Sequence, residues 1–464
     1  MFVFSETVTR VFASLGVVSI LARCVCQRFR LNGIVHFESG ILNCVSPAAE
    51  HIAIRGSHSR VSERIPARIA FLTNFVPPYL LPVLRCLTNA VDELRVFVST
   101  PMEANRPWKP EWDGVNVIVQ KSIAVSYQRK YKAGFSTAFF RHFPYDSLLL
   151  LFRYKPDVIV TGQLGFRTMQ AAAYRQLNFS SRLVVWVDAS EHTEREIGHA
   201  RTKLRQALLR KADSVIVNGK SGSEYVQSLG IPPDRIVPVP FVSNCSDLSK
   251  QPLARGPQAS RRLLYVGQLI ELKGLESFLQ ELAHWADVHS REHCELWLVG
   301  DGPLRNVLQR RQMPPNVKIS FFGNVPYLDL APYYANCGIF VFPSLTDTWG
   351  LVVNEALAAG LPVLGSLYSQ AVEELVQDGV NGWTFHPDRQ KEFRDGLERA
   401  LAIPDCALSQ MREDARKSVR HLTAKYATDQ FLLAMRLALD TGLSKRLSSS
   451  VEHGSVDAVP RVKR

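Results

Sequence analysis

FVFPSLTDTWGLVVNEALAAG, residues 340–360, carries a strand, a polar loop and the first turns of a helix without a break. Residues 339–342 are an apolar run of strand type, Pro343 and Ser344 stop it, and from Leu351 apolar residues and alanines return at helical spacing. Asp347 and Glu355 bracket the turn. A helix start leaves N–H groups unpaired at the positive end of the helix dipole. The backbone of Thr348, Trp349, Gly350, Leu351 and Val352 is therefore suited to an anion. Carboxylates on either side accept hydrogen bonds from vicinal hydroxyls. A phosphate centre with a hydroxylated group at each end is the layout of a nucleotide sugar. Capping and the dipole favour acids near any helix start, so the segment alone also reads as an ordinary helix N-terminus.

The strand-then-helix pattern repeats along the chain. Strand-like runs at 67–74, 94–99, 115–120, 158–161, 183–187, 214–217 and 236–239 alternate with helix-capable segments. The series resumes at 262–267, 296–300, 317–322, 339–342 and 362–364. Short apolar strands separated by longer helices predict parallel sheets covered on both faces, hence an α/β fold of two doubly wound domains. The polar, Ser- and Pro-containing stretch 242–259 reads as the linker. The expected division is an extension over 1–62, a first Rossmann-like domain over 63–245, a second over 246–442, and a disordered tail over 443–464. With 464 residues, 46% of them hydrophobic, the chain can fill two cores and is not a disordered polymer.

Further blocks stand in order around 340–360. Leu263-Leu264-Tyr265-Val266-Gly267-Gln268-Leu269 leads to Lys273-Gly274, and Leu298-Val299-Gly300-Asp301-Gly302-Pro303-Leu304 follows. Then come Phe322-Gly323-Asn324-Val325, Gly360-Leu361-Pro362-Val363 and Val376-Gln377-Asp378-Gly379-Val380-Asn381-Gly382. With Asp347 and Glu355 as an acid-x7-acid pair, the series resembles the group 1 (retaining, GT-B fold) glycosyltransferases, strongly over 262–385 and weakly before it. The resemblance implies two Rossmann-like domains facing across a cleft and, with no separate cofactor, a UDP- or GDP-linked sugar as donor substrate. It further implies hexosyl transfer with retention, by front-face attack, to a glycan or lipid-linked acceptor in cell-surface polysaccharide or glycolipid biosynthesis.

The resemblance also assigns roles. Asp347 would bind the sugar hydroxyls and Glu355 the ribose hydroxyls. Lys273, Gly267, Gln268 and the amides of 348–352 would hold the diphosphate, with the backbone of Gly323, Asn324 and Val325 at the base edge. In the first domain, His192 or else Asp188 would take the family's polar contact to the sugar, and Thr73 and Asn74 would shape the acceptor side. Two positions depart from the family. Asp347 is one methylene shorter than the usual Glu, and Gln268 stands where an arginine usually binds phosphate, leaving Lys273 most of the charge neutralisation. A non-catalytic nucleotide-sugar binder and a GT-B epimerase or hydrolase stay open as alternatives.

Charge is uneven. Residues 1–245 carry 30 Lys+Arg against 18 Asp+Glu, whereas 246–464 carry 25 of each, so the first half holds the whole net +12. Residues 114–145 contain no acid and interleave Arg129, Lys130, Lys132 and Arg141 with Tyr127, Tyr131, Phe135, Phe139, Phe140 and Phe143. Two readings stand: a peripheral contact with an anionic membrane, or a helix with its aromatics in the core. No nucleic-acid motif accompanies the charge, so nucleic acid is not an expected partner. Residues 11–22 are apolar but shorter than the roughly 20 residues that span a bilayer. The eight cysteines show no metal-site spacing and the chain has no Asp-x-Asp, so a reduced, cytoplasmic, metal-independent protein is expected, with attachment to the cytoplasmic membrane face left open. Gly219-Lys220-Ser221 and Gly300-Asp301-Gly302 lack the remaining glycines of a P-loop and of a dinucleotide fingerprint.

Overall fold

The computed structural model describes residues 64–452 except 104–105, 107, 132–133 and 196–197, with side chains to residue 441. The expected extension 1–62 lies outside the described residues. The strands are β1 (Ile65–Thr73), β2 (Val91–Val98), β3 (Val117–Val119), β4 (Ser122–Lys130), β5 (Ser136–Pro144), β6 (Val158–Gly162), β7 (Arg182–Val187), β8 (Ser214–Val217) and β9 (Ile236–Pro238). They continue with β10 (Leu263–Val266), β11 (Cys294–Val299), β12 (Val317–Gly323), β13 (Ile339–Phe342), β14 (Val363–Ser366) and β15 (Gly382–Phe385).

One sheet runs β3-β2-β1-β6-β7-β8-β9 and a second runs β12-β11-β10-β13-β14-β15, with every pair in both parallel. Helices between consecutive strands cover the sheets, so β7, β8, β10, β13 and β14 are buried along their whole length. That is why they read as unbroken apolar runs. A buried valine or leucine in such a strand contributes about 1.5–3 kcal/mol relative to leaving it exposed. Strand order reverses between β1 and β6 and again between β10 and β13. Doubly wound sheets open a crevice at such reversals, beyond the strands' carboxyl ends. Thr73, Asn74 and the loop after Gly162 stand at the first reversal; Gly267, Gln268 and the loop after Phe342 stand at the second.

Three expectations are corrected. Residues 114–145 contain no helix: β4 and β5 pair antiparallel, with Tyr127 opposite Phe139 and Arg129 opposite Thr137. Tyr127 and Phe139 stack with centroids 6.0 Å apart, and the Arg141 guanidinium lies 4.2 Å over the Tyr127 ring. The aromatic–cationic alternation has period two, and cross-strand pairing rewards that period. Second, helix Ala424–Glu452 belongs by packing to the first sheet. Phe431 packs 5.8 Å from Phe71 and 5.2 Å from Trp186, and the Ser214 hydroxyl donates to the Ala434 carbonyl at 2.8 Å. Third, the same helix runs ten residues into the tail expected to be disordered from 443. Periodicity fades there, but a helix nucleated on a packed segment propagates cheaply. The linker stretch itself holds two short helices, Ser246–Ser249 and Pro257–Ser260.

Candidate functional site

The two reversals line opposite walls of one cavity of about 700 Å³. On the second-domain wall, Leu345 N donates to the Leu272 carbonyl at 2.9 Å, which zips the loop after β10 to the loop after β13. This brings Lys273 Nζ into an ion pair with Asp347 Oδ2 and 5.4 Å from the Phe342 ring. The approach depends on Gly274, whose φ is +67° and whose Cβ would lie 2.1 Å from the Pro343 carbonyl oxygen. Gly274→Ala should therefore cost about 3 kcal/mol or more, seen as a lower urea midpoint at unchanged m-value. Gly350, at φ +102° against the Phe342 ring and the Ser369 hydroxyl, turns the chain into helix Leu351–Ala358. The first turn of that helix leaves the N–H groups at 351 and 352 without intrahelical partners. Asp347 Oδ1 already accepts from Trp349 N at 3.3 Å.

Glu355 lies one turn further on, 6% exposed, and is not part of the cavity lining. Its carboxylate accepts from the Tyr334 hydroxyl at 3.0 Å and the Ser243 hydroxyl at 3.3 Å. Burial pushes its pKa up to about 7. Gly323, Asn324 and Val325 likewise lie outside the cavity lining; Gly323 accepts from Gly300 N at 2.7 Å.

On the first-domain wall, Thr73 and Asn74 meet the loop from Gly162 to Arg167. Asn74 donates to Gln163 Oε1 at 3.1 Å, and Gln163 is one of two non-glycine residues with positive φ among the described residues, at +67°. Arg167, 4% exposed, donates to Asn74 and, at 3.2 Å, to the Ser99 hydroxyl, with no carboxylate partner among the described residues; burial pushes it down to about 9. Asp188, at the end of β7, lines the cavity with its pKa raised to about 6 by burial, with Glu194 adding.

Seven of the residues singled out from sequence converge here, and the others do not. Lys273, Gln268, Asp347 and Thr348 line the cavity together with Asp188, Thr73 and Asn74. His192 does not line it: its ring stacks on Tyr368 at 4.6 Å and its Nδ1 lies 3.2 Å from Arg195. Of the two first-domain alternatives, Asp188 is the one facing the cleft. Gly267, Trp349, Gly350, Leu351 and Val352 lie outside the cavity lining, and the Trp349 side chain is 1% exposed and donates to Asn354 Oδ1 at 2.9 Å.

Sequence reading missed the residues that join the walls. Gln370, 1% exposed, donates to the Asp188 carbonyl at 3.1 Å and the Thr348 carbonyl at 2.7 Å. Glu373 and Glu374 accept from Ser221 N and Lys220 N, the first amides of helix Lys220–Ser228. A carboxylate at a helix N-terminus is favoured by the dipole, and here the acids come from the other domain. No local pattern marks such contacts.

Comparison with known proteins agrees with this fold. The family described as Glycosyl transferases group 1 matches residues 260–402, and the Glycosyl transferase 4-like domain matches residues 76–241. A GDP-mannose-dependent alpha-mannosyltransferase of Corynebacterium glutamicum is 32% identical over 179 residues, 38% of this chain and 40% of that protein. Matches to the first curated relatives span less than half of their length. Among solved structures, a lipopolysaccharide outer core galactosyltransferase, WaaB, superposes with a TM-score of 0.60 at 14% identity, over 79% of this chain and 99% of the other. HepE of Anabaena, in complex with UDP and glucose, gives 0.57 at 15% identity, over 80% and 99%.

Proposed function

Because the chain belongs to the group 1 glycosyltransferases of GT-B fold, we propose that it transfers a hexosyl-type sugar, with retention, from a nucleotide-sugar donor to an acceptor hydroxyl. The observation that carries the reading is Lys273 paired with Asp347 beside the open N-terminus of helix Leu351–Ala358. A diphosphate entering there would exchange the carboxylate partner of Lys273 for phosphate, with the amides of 351 and 352 as further donors. Asp347, released, would accept from the sugar hydroxyls, while Glu355 would take the ribose. The departing phosphate oxygen would accept the acceptor's proton as the new glycosidic bond forms on the same face. The protein then supplies positioning and charge stabilisation. With no Asp-x-Asp pair in the chain, Lys273 and the amides would carry the neutralisation that a divalent ion provides elsewhere.

Asp188 is our candidate for the first-domain contact to the sugar. Names of the relatives leave the base open, since one is GDP-mannose-dependent and one neighbour was solved with UDP. A lipopolysaccharide-building neighbour supports a cell-envelope glycan or glycolipid as product class. For a peripheral membrane contact, the supporting residues are exposed Ile123 and Val125 of β4, close in the chain to Lys121, and exposed Leu149 and Phe152 of helix Ser147–Tyr154, next to Arg153. Among the described residues, no helix is long and apolar enough to cross a membrane.

The test is a thermal-shift screen against UDP, GDP, ADP and their sugars, with and without EDTA. A selective, EDTA-insensitive rise in Tm is expected. If no nucleotide shifts the transition, the donor assignment fails. Gln268, exposed in the cleft without the usual charge, favours one second reading, a nucleotide-sugar binder without turnover. That reading predicts the same shift but no nucleotide release when donor and acceptors are supplied together.

A further inference from the structure

The cleft holds more positive charge than a nucleotide-sugar donor answers. Seven arginine or lysine side chains line it against four carboxylates. Three of those carboxylates are already engaged: Glu194 pairs with Arg205 at 2.9 Å, Asp347 pairs with Lys273, and Glu103 bonds His142 Nε2 at 3.1 Å. The fourth, Asp188, is held toward its neutral form by burial. Donor phosphates would meet Lys273 and the helix N-terminus on the second-domain wall. Of the five arginines left on the other wall, Arg167 is bonded to Asn74 and Ser99 and Arg106 lies 5.3 Å over the Trp108 ring, which leaves Arg129, Arg141 and Arg201.

None of these three has a carboxylate at ion-pair distance among the described residues. Arg129 donates to the Thr193 carbonyl at 2.8 Å, which fixes the hairpin to the short helix Glu191–Glu194 after β7. The Arg141 guanidinium lies over the Tyr127 ring. Arg201 is exposed on the same wall, and desolvation, then Arg205 and Arg141, push it below its ordinary value while Glu194 opposes them. Opposite Arg129 in the hairpin register, the Thr137 hydroxyl is buried in the cavity lining with no hydrogen-bond partner. Glu194, the one carboxylate near Arg201, is already paired with Arg205, and gathering like charges with so little counter-charge destabilises the folded chain, so the arrangement calls for an anion.

We propose that this wall is a phosphate subsite for the acceptor: Arg129, Arg141, Arg201 and the Thr137 hydroxyl bind a phosphate group on the molecule that receives the sugar. Guanidinium forks match phosphate oxygens two at a time, and three forks with one hydroxyl suit the oxygens of a phosphomonoester better than the two of a carboxylate. The phosphate belongs either to a soluble sugar phosphate or to a lipid headgroup. Ile123 and Val125, 44% and 47% exposed, continue outward along the same face of β4, so a lipid tail would have an apolar path out of the cleft. The assignment rests on the glycosyltransferase reading for the word acceptor, and the test separates the two.

Full-length protein, with the nucleotide that gave the largest thermal shift bound, is titrated with glycerol 3-phosphate and with phosphatidylcholine vesicles containing or lacking phosphatidic acid. Arg141→Gln with Arg201→Gln should weaken binding at least tenfold, Lys at both positions should retain more of it, and the nucleotide-induced shift should stay unchanged. Wild-type affinity should fall steeply with salt. Arginine-dependent binding of glycerol 3-phosphate supports a soluble source; arginine-dependent binding of phosphatidic acid vesicles alone supports a lipid headgroup. Equal binding by wild type and the Gln variant, no binding of either probe, or affinity independent of salt overturns the subsite. If no nucleotide shifts the protein while arginine-dependent phosphate binding persists, the donor reading fails and the phosphate site stands.

Discussion

Lys273→Ala should lower kcat/KM for sugar transfer by about 10²–10³-fold, the usual cost of removing one preorganised charge-stabilising group from a transfer site. The effect on stability should be small by comparison. Side chains of Lys273 and Asp347 are 22% and 16% exposed, so their pairing is partly screened and its loss costs about 1 kcal/mol. The variant also leaves Asp347 without its partner, facing incoming phosphate with like charge. Lys273→Ala should accordingly be worse than Asp347→Asn in donor affinity, and adding Asp347→Asn to it should recover part of that affinity. A second charge can be supplied from the adjacent loop. Gln268, exposed in the same cavity, stands two residues beyond the carboxyl end of β10 and faces the cleft. Gln268→Arg should therefore tighten nucleotide binding in the wild type and partly rescue Lys273→Ala. Undiminished transfer by Lys273→Ala would remove the diphosphate from this wall altogether.

Legibility of the fold followed burial. β7 and β13, covered on both faces, contain nothing but strand-forming apolar residues apart from Arg182, so their sequence could be read directly. β4 and β5 could not, because each is largely exposed or only partly buried and carries bases and polar residues on both faces. Their alternation is visible only once a pairing partner is supposed. β15, Gly382–Phe385, is four residues long and opens on glycine, too short for a period to show. The helix from Ala424 shows a buried stripe in Phe431, Leu432, Ala434, Met435 and Ala438, but an amphipathic pattern states that a face is covered, not by which sheet.

The site divides along the same line. Lys273, Asp347 and the turn at Gly350 are fixed by loops that follow their strands directly, so order along the chain placed them in one region. Arg167 reaches the cleft, Ser243 reaches Glu355 and Gln370 ties the two walls, each from a separate element, and their roles exist only after the sheets have assembled. Asp188 and His192 differ by four positions. Strand ends in doubly wound sheets point at the crevice, which favours Asp188, the first residue beyond β7; by His192 the chain has entered the short helix Glu191–Glu194 and turned toward Tyr368.

Glu355→Gln should abolish transfer and yet stabilise the free protein at neutral and alkaline pH. Burial raises the Glu355 carboxyl from 4.5 to about 7. Between those values the folded protein holds a proton that the unfolded chain has released, so stability falls as pH rises through the window. A shift of that size corresponds to roughly 3 kcal/mol, present in full below pH 4.5 and lost above pH 7. Glutamine keeps the shape, stays neutral and can still accept from Tyr334 and Ser243, so its urea midpoint should exceed that of wild type at pH 8 and match it near pH 5. Nucleotide binding reverses the sign for the wild type. Ribose hydroxyls donating to the carboxylate favour the ionised form, so binding at pH 6.5 should release a proton, read as a dependence of the calorimetric enthalpy on buffer ionisation. Glu355→Gln should lose that dependence together with most of the affinity. Wild-type binding that releases no proton, or a Gln variant that transfers normally, would take Glu355 out of the donor site and leave it as a buried carboxyl tied to Tyr334.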